Sequence, residues 1–272
     1  MLRLAPAKIN LGLTITGKRP DGYHELESVV LPIPFYDILE VLPQSADAED
    51  ELIITGIRVD GPADQNLVIK ALQLFRAVHP CPPLKICLHK QIPAGAGLGG
   101  GSSDGTAMLS LLNEMFDHPL NTEELHDLAA RLGSDCPLFL YDSPSLMTGR
   151  GELIEPLSFS TGGMYLVLLF PGLKISTREA YSKIVPRMPE QRVRDLIREP
   201  VGQWRNRLVN DFEEALFPFY PRLKELSEAL YRQGAVYASL SGSGSALYGL
   251  FSEPPAPGTF PEDLLVWKGR LA

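Results

Sequence analysis

The sequence predicts an α+β protein built from two domains. Three features of its 272 residues indicate this fold class: alternating strands open the chain, amphipathic helices fill the middle, and alternating strands return towards the C-terminus. Thr161-Gly162-Gly163 interrupts the structured segments and lies within residues 150–163, where we expect the domain boundary. We therefore predict a first domain over residues 1–155 and a second over residues 156–272.

The chain opens with a predicted β-hairpin. Residues 7–16 alternate between apolar and mainly polar side chains, which is the period of a β-strand. Residues 17–22, GKRPDG, contain a proline and an Asp-Gly pair, so we expect them to turn the chain into a second strand over residues 23–31. A later strand over residues 84–92 places Lys90 on its apolar parity, which is unexpected for a lysine.

Two helices are predicted in the middle of the chain. Apolar residues recur at i, i+3, i+4 and i+7 over residues 108–115, so an amphipathic helix is expected to begin near residues 102–104. Asn121 and Glu124 form a capping-box pattern at the start of the next helix. Gly133 suits the position just after that helix ends.

The second half continues the mixture of strands and helices. Asn210 and Glu213 repeat the capping-box pattern at the start of a helix, and Gly234 is expected to end the helix that follows. Strands and a final surface loop are predicted around these helices, the strands over residues 164–170, 236–240 and 246–251 and the loop over residues 254–261.

Charge and cysteine content exclude several classes of protein. Lys and Arg total 25 against 33 Asp and Glu, a net charge of −8, so nucleic acid is not an expected partner. Cys81, Cys87 and Cys136 show no CxxC spacing, which argues against a disulfide framework or a four-ligand zinc site and favours a cytoplasmic protein. No apolar run approaches the length of a membrane span or a signal peptide core, so no membrane partner is expected.

Residues 93–109, PAGAGLGGGSSDGTAML, join a predicted strand to a predicted helix and contain six glycines. Glycine lacks a Cβ, so its backbone can curve closely around a phosphate, and a helix N-terminus adds free N–H donors and the positive end of its dipole. A glycine-rich turn with capping serines explains one or two of these glycines but not six. The segment therefore predicts a phosphate-binding loop.

Three other motifs are alternatives for this loop. Gly95, Gly97 and Gly100 satisfy GxGxxG, but the loop does not open a repeated βαβ series, so a dinucleotide oxidoreductase is a remote alternative. Residues 101–105 fit the hydrolase pattern GxSxG, yet no histidine follows His126 to act as the base. A Walker A loop fails because no GK[ST] follows the glycines.

The loop resembles the phosphate-binding motif of the GHMP kinases, PxxxGLGSSAA, with extra glycines here as GLGGGSS. The resemblance implies a two-domain GHMP kinase architecture with an ATP-binding N-terminal domain and a ferredoxin-like C-terminal domain. The SGSGS segment is then expected to support the phosphate and substrate region and not to form a separate phosphate site. Five further blocks carry the resemblance: PAKIN at 6–10, DGYHE at 21–25, GSDCPLFL at 133–140, FPGLKIST at 170–177 and SGSGSALYGLF at 241–251.

These blocks are most similar to the branch of GHMP kinases whose substrate is a cytidine-diphosphate-linked small polyol. The resemblance implies transfer of the γ-phosphoryl group of ATP to the 2-hydroxyl of that substrate, in the non-mevalonate route to isoprenoid precursors. Two alternatives stand beside it, a GHMP kinase for homoserine or a mevalonate derivative and a non-catalytic nucleotide-binding module. Aromatic residues suited to a base argue against the first alternative, and the presence of Lys8 and Asp135 argues against the second.

The resemblance assigns the catalytic residues. From the residues alone, Lys8 and Asn10 share one face of a strand, and a solvated polar face is the simpler interpretation. The resemblance instead places Lys8 at the reacting hydroxyl, Asn10 beside the substrate, and Asp135 as the proposed base. Beside Lys8, the pKa of Asp135 is expected to be lowered, so that the carboxylate accepts the hydroxyl proton or orients the hydroxyl.

The resemblance also assigns the ATP site. Asn66 and Lys90 are expected near the adenine and ribose, and Asn66 equally suits a helix N-cap. Mg²⁺ is expected with ATP because it neutralises charge on the β- and γ-phosphates, but the sequence does not indicate its ligands. The residues expected around the phosphates are Pro93, Ala94, Gly95, Ala96, Gly97, Leu98, Gly99, Gly100, Gly101, Ser102 and Ser103.

The remaining residues of the predicted substrate site are two tyrosines, a histidine and a threonine. The resemblance places a cytosine between Tyr23 and Tyr181, with His24 hydrogen-bonded to its edge and Thr177 nearby. Stacking is chemically apt because a pyrimidine and a tyrosine both offer a flat apolar face. Related proteins often carry Phe where this chain has Tyr181, a change that preserves stacking. A monomer or weak homodimer is expected.

Overall fold

The predicted mixture of strands and helices is present in the computed structural model, which describes residues 1–256, 260–261 and 264–271. Within these residues, no helix combines the length and apolar character that crossing a membrane requires. The strands are β1 (Leu2–Lys18), β2 (His24–Pro43), β3 (Glu51–Gly56), β4 (Leu84–Lys90), β5 (Ser145–Gly149), β6 (Leu153–Pro156), β7 (Tyr165–Phe170), β8 (Tyr237–Leu240), β9 (Leu247–Phe251) and β10 (Leu265–Arg270). The α-helices are α1 (Leu67–Arg76), α2 (Gly100–Met115), α3 (Thr122–Leu132), α4 (Thr177–Ser182), α5 (Val193–Leu196), α6 (Asp211–Leu216) and α7 (Pro221–Arg232), with 3₁₀ turns at Ala63–Gln65, Pro137–Leu140 and Val201–Gln203.

The chain forms two compact units that interleave along the sequence. The first unit comprises Met1–Ala7, Phe35–Ala94 and Gly99–Asp142. The second comprises Lys8–Pro34, Gly95–Leu98 and the described part of Ser143–Ala272. The family domains expected over residues 1–155 and 156–272 are a different kind of division, and that boundary stays a prediction.

The first unit packs three helices and a set of paired strands around an apolar core. β4 pairs antiparallel with the C-terminal half of β2 and parallel with β3. The apolar faces of α1, α2 and α3 are buried in one cluster with side chains of β2 and β4. Burial of this cluster holds the glycine-rich segment between β4 and α2 at both of its ends.

The second unit contains a four-stranded antiparallel sheet in the order β10-β7-β9-β8. Numbered along the chain, these strands follow the order fourth, first, third, second, which is the ferredoxin-like arrangement expected for the C-terminal domain. Helices α4 to α7 lie between β7 and β8, and α7 packs on the sheet through Leu223, Leu226 and Leu230. The N-terminal half of β2 also belongs to this unit, where it pairs with β5, which pairs with β6.

Most of the predicted elements are confirmed, some with changed ends. β1 and β2 pair as the expected hairpin, and both are longer than their alternating patterns indicated. The capping box of Asn121 and Glu124 is present at the start of α3, and Gly234 follows α7 with a φ of +93°. Part of the surface loop predicted over residues 254–261 lies outside the described residues.

Three local details differ from the sequence predictions. Helix α2 begins at Gly100, before the predicted start, because the glycines themselves take up helical backbone. Gly133 directly follows α3, as predicted, but its φ of 175° is extended and not left-handed backbone. Glu213 does not close a capping box with Asn210, because its buried carboxylate accepts hydrogen bonds from the Leu240 amide and the Ser239 hydroxyl, both at 2.7 Å.

Candidate active site

The glycine-rich loop ends in an uncapped helix N-terminus. Gly99 is the N-cap of α2 with a φ of +72°, and among the described residues no side chain caps this end of the helix. The Ser103 amide donates the first helical bond, to the Gly99 carbonyl at 2.9 Å, so the amides of the preceding turn have no helical acceptor. These N–H groups and the helix dipole favour an anion.

Gly97 lies where the backbone of the loop meets the SGSGS segment within the second unit. Its φ is +77°, and a Cβ at this position would lie 2.0 Å from the Ser241 carbonyl oxygen. The Ser241 hydroxyl donates to the Gly97 carbonyl at 2.9 Å, and the Ala246 amide donates to the Ala96 carbonyl at 3.0 Å. SGSGS therefore contacts the loop, as a supporting segment is expected to do, and only glycine fits at position 97.

Lys8 and Asn10 are buried, 5% and 1% exposed, so the solvated polar face that the residues alone favoured is wrong. The Lys8 ammonium donates to Asn10 Oδ1 at 2.5 Å and to the Gly97 carbonyl at 2.6 Å. Asn10 is itself held by the Ser28 hydroxyl, which accepts from its Nδ2 at 2.9 Å, and by Tyr248, which donates to its carbonyl at 2.7 Å. These contacts hold the Lys8 ammonium in one position beside the loop.

Asp135 follows α3 in a turn of the first unit. The Cys136 amide donates to the Gly133 carbonyl at 3.1 Å, and the Thr106 hydroxyl donates to the Cys136 carbonyl at 2.8 Å, which ties the turn to α2. The Asp135 side chain is half-buried. Burial raises the pKa of the neighbouring Cys136 thiol to about 11, which disfavours the reactive thiolate. Asp135 and Lys8 belong to different units, and their pairing stays a prediction.

Lys90 lies in the interior of the first unit, only 4% exposed. Its ammonium contacts Asp37 Oδ2 and donates to Asp104 Oδ2 at 2.5 Å. Burial raises the pKa of Asp104 to about 8. The Asp37 carboxylate adds to this rise, and the Lys90 ammonium opposes it. The expectation that Lys90 lies near the adenine and ribose stays a prediction, but its charge is already engaged by two carboxylates.

Two residues next to the loop carry unsatisfied polar atoms. Among the described residues, Ser103 Oγ and Asp104 Oδ1 are buried without a hydrogen-bond partner. Ser103 lies one turn into α2, beside the free amides of the loop. A buried hydroxyl without a partner is costly, and a phosphate oxygen at this helix end would satisfy it.

Asn66 caps α1, as one of its two interpretations predicts. The side-chain Oδ1 of Asn66 accepts from the Val68 backbone amide at 2.9 Å, and the backbone amide of Asn66 donates to the Ala63 carbonyl at 3.1 Å. The side chain is half-buried, and its role towards ATP stays a prediction.

Two of the predicted base-binding residues, His24 and Tyr181, lie together in the second unit. The rings of His24 and Tyr181 are 5.1 Å apart, and Tyr181 meets Phe212 edge-on at 4.9 Å. Burial and the nearby Lys18 charge lower the pKa of His24, so its imidazole is neutral at pH 7. Thr177 is exposed at the start of α4, one turn before Tyr181.

Tyr23 stands apart from this ring pair in its contacts. It is 58% exposed, and the Arg150 guanidinium lies 4.9 Å from its ring centroid. Asp21 Oδ1 accepts from the Tyr23 amide at 3.1 Å, which fixes the backbone after the hairpin turn. The exposed face of an aromatic ring is suited to stacking on a planar partner.

Sequence reasoning missed several residues that build the site. Asp37 lies in the apolar segment FYDILEV, and this buried-strand aspartate was a usable signal, as was Asp104 directly after the two serines. Ser28 and Tyr248 gave no such signal, because a serine or a tyrosine within a strand is ordinary.

Comparison with known proteins gives the class of this chain. The family model described as GHMP kinases N terminal domain matches residues 66–143, and the one described as GHMP kinases C terminal matches residues 192–260. The chain belongs to the GHMP kinase family. The predicted α+β GHMP kinase architecture and the prediction of a kinase are thereby confirmed.

Relatives along the full chain are more specific. The chain is 43% identical over 274 residues to the 4-diphosphocytidyl-2-C-methyl-D-erythritol kinase of Parabacteroides distasonis and 46% identical over 278 residues to that of Bacteroides thetaiotaomicron, covering 100% of both chains in each case. A crystal structure of 4-(cytidine 5'-diphospho)-2C-methyl-D-erythritol kinase matches with a TM-score of 0.81 at 33% identity, covering 100% of this chain and 99% of the other. A mevalonate kinase structure shares the fold, with a TM-score of 0.73 at 14% identity and the same coverage.

Proposed function

We propose that this chain transfers the γ-phosphoryl group of ATP to the 2-hydroxyl of 4-diphosphocytidyl-2-C-methyl-D-erythritol. The observation that carries the proposal is identity of 43–46% along the whole chain to kinases of that name. The ring pair of His24 and Tyr181 supports it, because a nucleobase suits this site better than homoserine or mevalonate, which have no base.

The glycine-rich loop fits a triphosphate. Uncapped amides at the start of α2 and the unpartnered Ser103 hydroxyl offer donors for phosphate oxygens. Residues 93–103 would hold the phosphates, and Asn66 the adenine and ribose. When bound, ATP supplies the phosphoryl group that is transferred.

Mg²⁺ is part of the proposal as the partner of ATP. Over residues 1–256, 260–261 and 264–271, no three His, Cys, Asp or Glu side chains come together as a metal site. The donor set therefore does not fit a resident metal, and we assign no side chain of the chain to Mg²⁺.

Lys8 and Asp135 have complementary chemical roles in the proposal. The Lys8 ammonium, held by Asn10 and the Gly97 carbonyl, stabilises negative charge on the transferred group. The Asp135 carboxylate accepts the hydrogen of the attacking hydroxyl, whose oxygen forms the new bond to phosphorus as the bond to ADP breaks. The proton goes to Asp135 or, through it, to solvent. Phosphoryl transfer depends mainly on such alignment and charge stabilisation.

The second unit would bind the cytidyl end. Tyr23 and Tyr181 stack on the cytosine, the neutral His24 ring hydrogen-bonds its edge, and Thr177 and Asn10 contact the rest of the substrate. We further propose that residues 1–155 and 156–272 are the ATP-side and substrate-side domains of a cytoplasmic monomer or weak homodimer.

One assay tests the function. ADP release is measured with purified protein, ATP and Mg²⁺ in parallel with the cytidyl alcohol, homoserine, mevalonate and no acceptor. We expect release above the background only with the cytidyl alcohol. Faster release with homoserine or mevalonate would move the chain to another branch of the family, and no release with any acceptor would refute a catalytic role in small-alcohol phosphorylation.

A further inference from the structure

The two ends of the glycine-rich loop that belong to the first unit are joined by a buried group of charges. We name Asp37, Lys90 and Asp104 the loop-base cluster; their exposed fractions are 0%, 4% and 3%. Lys90 is the last residue of β4, before the loop, and Asp104 lies in the second turn of α2, after it. The Lys90 ammonium contacts one oxygen of each carboxylate.

Asp37 also holds the backbone that leads into the loop. Its Oδ1 accepts from the Gln91 amide at 2.6 Å and from the Ile92 amide at 2.9 Å, while its Oδ2 faces Lys90. Both amides lie beyond the end of β4, past the last residues of β4 that pair with β2 and β3. One buried side chain therefore fixes three consecutive residues before the glycines.

Gly100 shows that the start of α2 is fitted closely against the same group. A Cβ at Gly100 would lie 2.8 Å from Ile92 Cγ2 and 3.4 Å from Asp37 Oδ2. The first residue of the helix thus packs on the residues that Asp37 holds, and a larger side chain would push the helix away from them.

We propose that the loop-base cluster positions the two ends of the phosphate loop, and that Lys90 serves ATP binding as a positioning residue and not as a ligand. The proposal rests on the ATP-binding part of the proposed function. Buried ion pairs are costly to form, so they are weak evidence for stability alone, whereas fixing a precise backbone geometry is a role for which directional charged hydrogen bonds are suited. The raised pKa of Asp104 agrees with this geometry, since two carboxylates share one ammonium.

A double-mutant cycle of Asp37→Asn and Lys90→Met tests the proposal. We measure KM for ATP, KM for the acceptor and kcat, together with the dissociation constant of ATP alone by equilibrium dialysis. Each single variant is expected to weaken ATP binding by roughly ten- to hundredfold, the effect of a small misplacement of binding groups, with a much smaller change in acceptor KM. The double variant should be little worse than either single variant, because both changes break one unit.

A direct contact between the Lys90 ammonium and ATP predicts a different pattern. Asp37 is fully buried, so Asp37→Asn would then leave ATP affinity near that of the wild type while Lys90→Met alone weakened it, and that result would overturn the proposal. Additive losses in the double variant would overturn it as well. Arg76→Met is the matched control, since it removes an ion pair with Asp50 in the same unit away from the cluster and should leave ATP affinity unchanged.

Asp104 supplies a second comparison in case the cycle variants fail to fold. Asp104→Asn keeps an oxygen that accepts from Lys90, whereas Asp104→Ala removes it. We expect Asn to bind ATP within about twofold of the wild type and Ala to bind roughly tenfold more weakly; equal affinities would refute the proposal. Dialysis needs no acceptor, so the role of the cluster in ATP binding is measured separately from the choice of acceptor. A wild type that binds ATP but does not phosphorylate the cytidyl alcohol refutes the proposed acceptor, and the ATP affinities of the variants still test the cluster. A wild type that does not bind ATP refutes both proposals.

Discussion

Lys8 donates a 2.5 Å hydrogen bond from its ammonium to Oδ1 of Asn10, two residues further along β1. The Gly97 carbonyl accepts from the same ammonium at 2.6 Å, so a positive charge is held in the interior of the second unit beside the phosphate loop. Because this charge lies beside the loop, we expect it to act on the transferred phosphoryl group.

Replacing Lys8 with Met tests that role. The variant keeps most of the apolar stem but loses the charge, so we expect kcat to fall by roughly 10²- to 10³-fold, the cost of removing one charge-stabilising donor. Steady-state kinetics measure the change, and thermal unfolding checks the fold. Lys70→Met, at an exposed position of α1, is the control with full activity. A Lys8→Met enzyme that turns over at the wild-type rate would remove Lys8 from the catalytic residues.

Replacing Asp135 with Asn removes the proposed hydrogen acceptor without changing the shape of the side chain. We expect kcat to fall by about 10²- to 10⁴-fold, the usual contribution of a general base, while Tm stays close to that of the wild type because the side chain is only half-buried. Asp142→Asn, an exposed aspartate of the same unit, is the matched control. Equal turnover of the two variants would contradict the assignment.

The aromatic pair predicts a loss of substrate binding and not of ATP binding. Tyr181→Ala removes the ring that packs on His24. We expect acceptor KM to rise by a factor that corresponds to about 1–3 kcal/mol, the contribution of one stacked base, with ATP KM unchanged. Tyr181→Phe keeps the ring and should behave as the wild type. If Ala and Phe give the same acceptor KM, Tyr181 does not stack on the substrate.

The lowered pKa of His24 gives a pH dependence. The imidazole is neutral at pH 7 and becomes protonated only below its usual titration range, when it loses its acceptor nitrogen. We expect acceptor KM to rise in the wild type as the pH falls below the ordinary imidazole value of 6.5, and the rise to be absent in His24→Gln, whose amide does not titrate. The same acid rise in both proteins would assign it to another group.

The sequence predicts local structure here better than it predicts side-chain partners. Period-two and capping patterns are local, so the β1–β2 hairpin and the capping box at Asn121 follow from neighbouring residues. Glu213 has the same spacing from Asn210 as Glu124 has from Asn121, yet tertiary contacts supply it with a buried acceptor role that the local pattern does not contain.

The site shows the same difference between features that follow from neighbouring residues and contacts that depend on the folded chain. The phosphate loop follows from its glycines, which act through their own backbone. The partners of Lys90 do not follow from local pattern, because Asp37 is 53 residues away and reaches Lys90 only when β2 pairs with β4. Burial of Lys8 likewise depends on the packing of the second unit, which is why a solvated face was the simpler interpretation of its spacing.

The raised pKa of Asp104 makes the stability of the first unit depend on pH. In the unfolded chain the carboxyl titrates near its ordinary value of 3.8, whereas in the folded chain burial and Asp37 raise the pKa to about 8. Between these values the folded state holds a proton that the unfolded state has lost, so the contribution of Asp104 to stability is complete at low pH and is lost as the pH rises through about 8. Relative to Asp104→Asn, the free energy of unfolding of the wild type should therefore fall with rising pH, by at most about 1.4 kcal/mol per pH unit. Urea unfolding of both proteins at several pH values from 5 to about 9 measures the difference; a difference that is constant, or that grows in favour of the wild type, would show that Asp104 is ionised throughout and that Lys90 carries both carboxylates as anions.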